Sequence, residues 1–262
     1  MAWTRFSDVS PQWPLAMAGE RKAPASRPGT AATSSSRDAS EVDAFLAKVA
    51  ATPAPVRSQG RVRGRLLFIM DATMSRQQTW DQALGVQAQM FEVTADLGGL
   101  DVQLAYFRGH GEFKSSGWVG DPRGLARAMT GVQVRGGHTQ IRRALRHALK
   151  EAQAHSLPAV VYVGDCMEEA ADDVCAVAGD LALHGTRAFM FQEGFDETAE
   201  ATFKEVARLT GGAFVRFDAG AADQLRALLR AVAVYATGGH RQLEAHARTA
   251  PALVRQLTHQ VR

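Results

Sequence analysis

The sequence predicts an α/β fold: a Rossmann-like, doubly wound, mostly parallel sheet with helices on both faces and an antiparallel edge hairpin. Three observations lead there. Short apolar runs recur, "RLLFIMD" at 65–71, "DVQLAYFRG" at 101–109, "AVVYVGD" at 159–165, "RAFMFQE" at 187–193 and "GAFVRFD" at 212–218. Their apolar residues are largely consecutive, as in strands buried on both faces of a parallel sheet. Segments with helical spacing of apolar residues separate most of these runs. The exception is "EFKSSGWV" at 112–119, which follows its neighbour after only Gly109-His110-Gly111. Three residues are too few for a crossover, so these two strands form a hairpin.

The elements follow in order. Residues 1–39 are rich in Pro, Ser, Ala, Gly and Thr and read as a disordered N-terminal arm. Residues 40–64 hold a short helix, with Ser40 as N-cap and Asp43 three positions on, and then a linker. The domain proper spans 65–237. Its helical stripes are Trp80, Leu84, Ala88, Phe91 and Ala95; Ile141, Leu145, Ala148, Leu149 and Ala152; Phe203, Val206 and Leu209; and Leu225, Leu228, Leu229 and Val232. Gly238-Gly239 interrupts the last one, and 238–262 reads as a basic tail of one or two loosely attached helices.

The bulk numbers narrow the function. Of 262 residues, 46% are hydrophobic, enough for a sizeable core, and no apolar run approaches the ~18 residues of a membrane span. Net charge is +3, but 1–40 carries +2 and 238–262 carries +3, which leaves 41–237 at −2. The folded body is therefore not a basic surface built for nucleic acid, although the tails could touch an acidic one. Two cysteines, Cys166 and Cys175, form neither a disulfide framework nor a zinc pattern, and a reducing, cytoplasmic setting fits them. The start, "MAWTRFSDVSPQWPLAMAGERK", lacks the apolar core of a secretory signal and only faintly has the composition of a transit peptide.

The chemistry concentrates at strand ends. Asp71, Thr73 and Ser75 leave the first strand spaced by two, Thr139 sits in "VRGGHTQI" as a helix opens, and Asp165 ends "AVVYVGD". In an open parallel sheet, ligands bind beyond the carboxyl ends of strands where strand order reverses. Two carboxylates and three hydroxyls form a hard oxygen set suited to a divalent cation such as Mg²⁺ or Mn²⁺. Arg76 and Arg135 lie in the same loops and favour an anionic partner.

In order and interval, "DATMS", "GGHT" and "VVYVGD" resemble the three parts of a von Willebrand factor A-type domain with a metal-ion-dependent adhesion site. The resemblance spans Arg65 to about Tyr235. It implies that Thr73, Ser75 and Thr139 bind metal directly or nearly so, that Asp71 and Asp165 often act through water, and that a partner's Asp or Glu completes the shell. Thr73 stands for the usual Ser and keeps the hydroxyl. Gly164-Asp165-Cys166 stands for the usual Thr-Asp-Gly and keeps only the carboxylate. The implied function is a non-enzymatic, metal-dependent protein-binding module, an adaptor or scaffold.

Two alternatives accompany it: a metal-dependent phosphohydrolase with His138 as base, and a structural domain with a degenerate, metal-free site. Individual residues also have plainer readings. Asp71 and Ser75 can cap a helix, and His138 can simply face solvent. Arg142, Arg146 and Lys150 form a solvated stripe. Cys166 reads as a small buried residue rather than a nucleophile. Phe113 and Trp118 pack the sheet edge. Glu168, Glu169, Asp172 and Asp173 form the acidic first turn of a helix.

Overall fold

The computed structural model describes residues 63–73, 77–218 and 221–262. The arm expected over 1–39 and nearly all of the helix and linker expected over 40–64 lie outside these residues, as do Ser75 and Arg76.

The six strands are β1 (Gly64–Asp71), β2 (Leu100–Arg108), β3 (Glu112–Val119), β4 (Ala159–Gly164), β5 (Arg187–Glu193) and β6 (Ala213–Phe217). They pair in one sheet in the order β3-β2-β1-β4-β5-β6. All neighbours run parallel except β2 and β3, the antiparallel edge hairpin. From β1 the chain moves outward to β2 and β3, then returns to lay β4 on the other side of β1. Strand order thus reverses between β1 and β4, the point at which open sheets of this kind place ligands beyond the carboxyl ends.

Helices cover both faces. They are α1 (Gln77–Glu92), α2 (Pro122–Thr130), α3 (Ile141–Ala154), α4 (Ala171–Leu183), α5 (Glu197–Thr210), α6 (Ala222–Ala247) and α7 (Ala252–Gln260). Alternation within β1 divides the core: Leu66, Phe68 and Met70 join α1, α2, α6 and α7, whereas Leu67 and Ile69 join α3, α4 and α5. The helix α2 has no counterpart among the expected stripes. Its signal is local: Asp121 accepts the Gly124 N–H at 2.7 Å and Pro122 opens the first turn.

A polar network lies between the hairpin and α3. Trp118 Nε1 donates to Glu151 at 3.2 Å, and His147 Nε2 stands 2.9 Å from Gln103 Oε1. Burial lowers the His147 pKa, partly offset by Glu151. The folded state therefore binds fewer protons at this site than the unfolded chain, whose histidine titrates near 6.5. The stability this neutral imidazole confers is present above that pH and is lost as pH falls below it. In urea unfolding from pH 7.5 to 5, His147→Gln should show a shallower loss of stability than the parent. Parallel curves would exclude the effect.

The segment after Gly238 is not loosely attached. Gly239, with φ 68° and ψ −169°, breaks α6 and folds its second half back. Leu243, Val254 and Leu257 are fully buried. At the end of α7 the Gln260 side chain behaves as a strand: its Oε1 accepts from Phe214 N at 3.0 Å and its Nε2 donates to Phe214 O at 2.9 Å. This covers part of the outer edge of β6. Leu257→Ala should cost about 2–4 kcal/mol, the usual range for a buried leucine. A loss below about 1 kcal/mol in urea unfolding would mean that α7 is peripheral after all.

Candidate functional site

Asp71 ends β1 fully buried, and its Oδ1 accepts the Thr73 N–H at 2.8 Å. That bond turns the loop immediately after the strand. Ala72 N donates to Phe107 O at 3.0 Å, and Ala72 O accepts from Arg135 N at 3.0 Å. The β1 loop is thereby tied to the segment that carries Thr139. Thr73 and Thr139 are both buried, and Asp165 is partly exposed just past β4.

Thr139 is held by the third loop. Its N–H donates to Glu168 Oε2 at 2.8 Å, and its hydroxyl oxygen accepts from Glu168 N at 3.1 Å. Next to it, Glu169 accepts from the backbone of Ile141 and from that of Arg142 at 3.1 Å. These amides start α3, whose N-cap residue Gln140 makes no side-chain cap of its own. First-turn amides lack intrahelical acceptors and carry the positive end of the helix dipole, so a carboxylate there is favoured twice. The expectation for the acidic run is corrected accordingly: Asp172 and Asp173 lie in the first turn of α4, but Glu168 and Glu169 precede it; Glu169 caps α3 and Glu168 holds Thr139 just before that helix.

Carboxylates converge on Cys166. Burial first, then the charges of Asp165, Asp71 and Glu168, push its thiol up to about 12. The same crevice collects negative charge from two strand ends and one loop, which a dication would relieve. Among the described residues, no three His, Cys, Asp or Glu side chains are grouped so as to hold a metal. Asp71 and Asp165 carry carboxylates, and Thr73 and Thr139 hydroxyls, all hard oxygen donors of the type a hard dication prefers.

Two glycines shape the crevice. A Cβ at Gly137 would fall 2.1 Å from Gly109 O, so the Thr139 loop rests directly on the hairpin tip. A Cβ at Gly164 would fall 2.4 Å from the Tyr162 hydroxyl. The position that lacks a hydroxyl in sequence thus has one beside it, brought by the residue two earlier on the same strand.

The remaining candidates sit around this centre. His138 is exposed, with Nδ1 3.5 Å from Glu168 Oε2 and its ring 5.2 Å from that of His110. The Arg135 charge acts on the buried Tyr106 hydroxyl. Arg142 pairs with Asp173 at 3.1 Å, and Arg143 Nη1 donates to Gly111 O at 2.7 Å. Sequence reasoning missed Arg108, which is buried at the end of β2. It reaches Gln133 O at 2.5 Å and Glu112 at 2.9 Å, and so pins the segment before Thr139 to the hairpin. It also missed the buried Glu193 at the end of β5, which accepts from the Thr79 hydroxyl.

Among solved structures, the chain is similar to a von Willebrand factor type A protein from Catenulispora acidiphila, with 15% identity and TM-score 0.53 over 67% of this chain and 43% of that one. It is similar to the pilus adhesin SpaC from Lactobacillus rhamnosus GG in its open conformation, with 10% identity and TM-score 0.55 over 74% and 31%. It is also similar to the SpRpn10 VWA domain, with 12% identity and TM-score 0.52 over 65% and 95%. The fold is that of von Willebrand factor A domains. The chain spans less than half of the first two of these proteins. No family model and no curated protein matches the sequence. No helix among the described residues is long and apolar enough to cross a membrane.

The cap on α3 is testable by itself. Glu169→Ala should cost about 1–2 kcal/mol in urea unfolding, the scale of a lost helix cap. Glu169→Gln should recover part of that, because an amide oxygen still accepts. Equal stability of all three proteins would remove Glu169 from this role.

Proposed function

We propose that the chain is a non-enzymatic protein-binding module, an adaptor or scaffold, that takes up Mg²⁺ or Mn²⁺ and through it binds an Asp or Glu carboxylate of a partner protein. The observation that carries this reading is the pairing of strand ends. The neighbours β1 and β4, where strand order reverses, lead into Asp71 and Asp165, with the buried threonines Thr73 and Thr139 in the adjoining loops. Asp71, Thr73, Ser75, Thr139 and Asp165 are the residues assigned to hold the cation. A bound dication would supply a centre that accepts a carboxylate oxygen as ligand.

The chain's own groups prepare that step. Asp71 turns its loop through the Thr73 amide, and Glu168 and Glu169 fix the Thr139 loop on the start of α3. Arg76, Arg135 and His138 are assigned to the partner-facing rim. A cytoplasmic setting belongs to the same reading and is supported by two free cysteines. His138 is exposed, with Nδ1 3.5 Å from Glu168 Oε2.

The test is thermal. A cation that binds only the native state at about 100 times its Kd adds about 2.7 kcal/mol, or about 5–10 °C in a domain of this size. Mg²⁺ or Mn²⁺ should raise the Tm of the parent by that order, and Thr73→Ala and Asp165→Ala should remove the increment. Equal shifts in all three proteins would sink the assignment. Affinity capture from lysate, with and without EDTA, then tests the partner: prey retained equally by Thr139→Ala and in EDTA does not use this site.

A further inference from the structure

We propose that the angle between the two halves of α6 and the start of α7 binds an oxyanion of the phosphate class. No residue of the crevice loops lines this place, so it is independent of the metal-dependent reading above. A cavity of about 240 Å³ lies here, the volume of about eight waters at ~30 Å³ each. Arg226 and Arg230 line it from the first half of α6, His246 from the second, and Thr249 and Pro251 from the turn into α7. The fold-back at Gly239 lets positions 230 and 246 share one cavity.

The charges there are unbalanced. Arg226 shares its Nη1 with Asp223 at 2.7 Å, but Asp223 is 91% exposed and on the rim. Arg230 has no carboxylate within ion-pair distance among the described residues. The Nε atoms of Arg226 and Arg230 are shielded from solvent and have no hydrogen-bond acceptor there. A shielded guanidinium N–H without an acceptor is costly, and a ligand oxygen would satisfy it. The His246 pKa is lowered, by burial first and then by the Arg230 charge. The other charged groups facing it across the cavity are Arg226 and Asp223, while the lining positions of the turn and α7 are not titratable. Arg255 on α7 gives its Nη1 to Ala250 O at 2.6 Å.

The shape selects among anions. Arg230 offers a guanidinium fork, Arg226 the N–H groups that Asp223 leaves, and Thr249 a hydroxyl, and the first turn of α7, which borders the cavity at Pro251 and Val254, adds the positive end of its dipole. A tetrahedral dianion can use donors from several directions at once. A carboxylate has two oxygens and one charge, and Asp223 already offsets one of the two guanidinium charges.

The experiment titrates the full chain with sulfate against chloride at constant ionic strength, read by calorimetry and by the His246 imidazole NMR signals. Sulfate mimics phosphate without titrating between pH 6 and 8. It should shift the His246 signals and raise the His246 pKa, so by linkage its affinity should increase severalfold from pH 8 to pH 6. Arg230→Ala should weaken sulfate binding at least about tenfold at both pH values. His246→Gln should bind like the parent at pH 8 and lose the gain at pH 6. If Arg230→Ala fails to fold, Arg230→Lys replaces it, keeping the charge and losing the fork; it should bind severalfold more weakly. Inorganic phosphate, phosphoserine and AMP then show what carries the oxyanion. A His246 signal indifferent to sulfate, or parent-like binding by the Arg230 variant, overturns the site.

Discussion

The crevice depends on the unmet hydrogen-bonding of one helix start. The first amides of α3 have no acceptors within the helix, and Gln140 before them supplies none from its side chain. Glu169, from a loop almost thirty residues later, accepts from them, and Glu168 beside it accepts from Thr139 just before the helix. This charge-assisted contact fixes where α3 begins, and with it the height of Thr139 above the sheet. It also commits the loop after Asp165, because the residues that reach back are the third and fourth beyond it. Two of the three loops in the crevice are thus one mechanical unit, and the third joins them through the bond between Ala72 and Arg135.

Five of the six strands were legible because burial on both faces leaves continuous apolar runs, and β5 agrees residue for residue with "RAFMFQE". The hairpin was legible because three residues cannot cross a sheet. The break in α6 was legible at Gly238-Gly239 and occurs at the second glycine. The shorter helix α2 was not, since nine residues hold too few apolar positions to set a period, although Asp121-Pro122 announced its start. The attachment of 238–262 was underestimated because its charge is conspicuous, while Leu243, Val254 and Leu257 are sparse and each looks ordinary alone.

At the candidate site, the sequence named side chains but not the contacts that aim them. The acidic run 168–173 reads as one feature along the chain, yet half of it serves α4 and half serves α3, a division made by a loop's path rather than by local composition. Arg108 looks like a strand-end surface cation in "YFRG". Its burial follows from three partners, Gln133, Glu112 and the Tyr106 ring, the first of them 25 residues away. Gly164 looks in sequence like a place without a hydroxyl, and the fold puts that of Tyr162 beside it.

The Gln260 amide on β6 bears on how the molecule behaves in a crowd. An outer strand of a sheet presents open amides and carbonyls to any passing extended chain, and folded proteins keep such rims from nucleating aggregates. Here the guard on one rim is a single side chain near the end of the sequence, occupying both pairing groups of Phe214. Its hold depends on the burial of Val254 and Leu257, so local opening of α7 would uncover a strand while the sheet stays folded. Colloidal stability and the packing of the nine residues of α7 are in this way the same property.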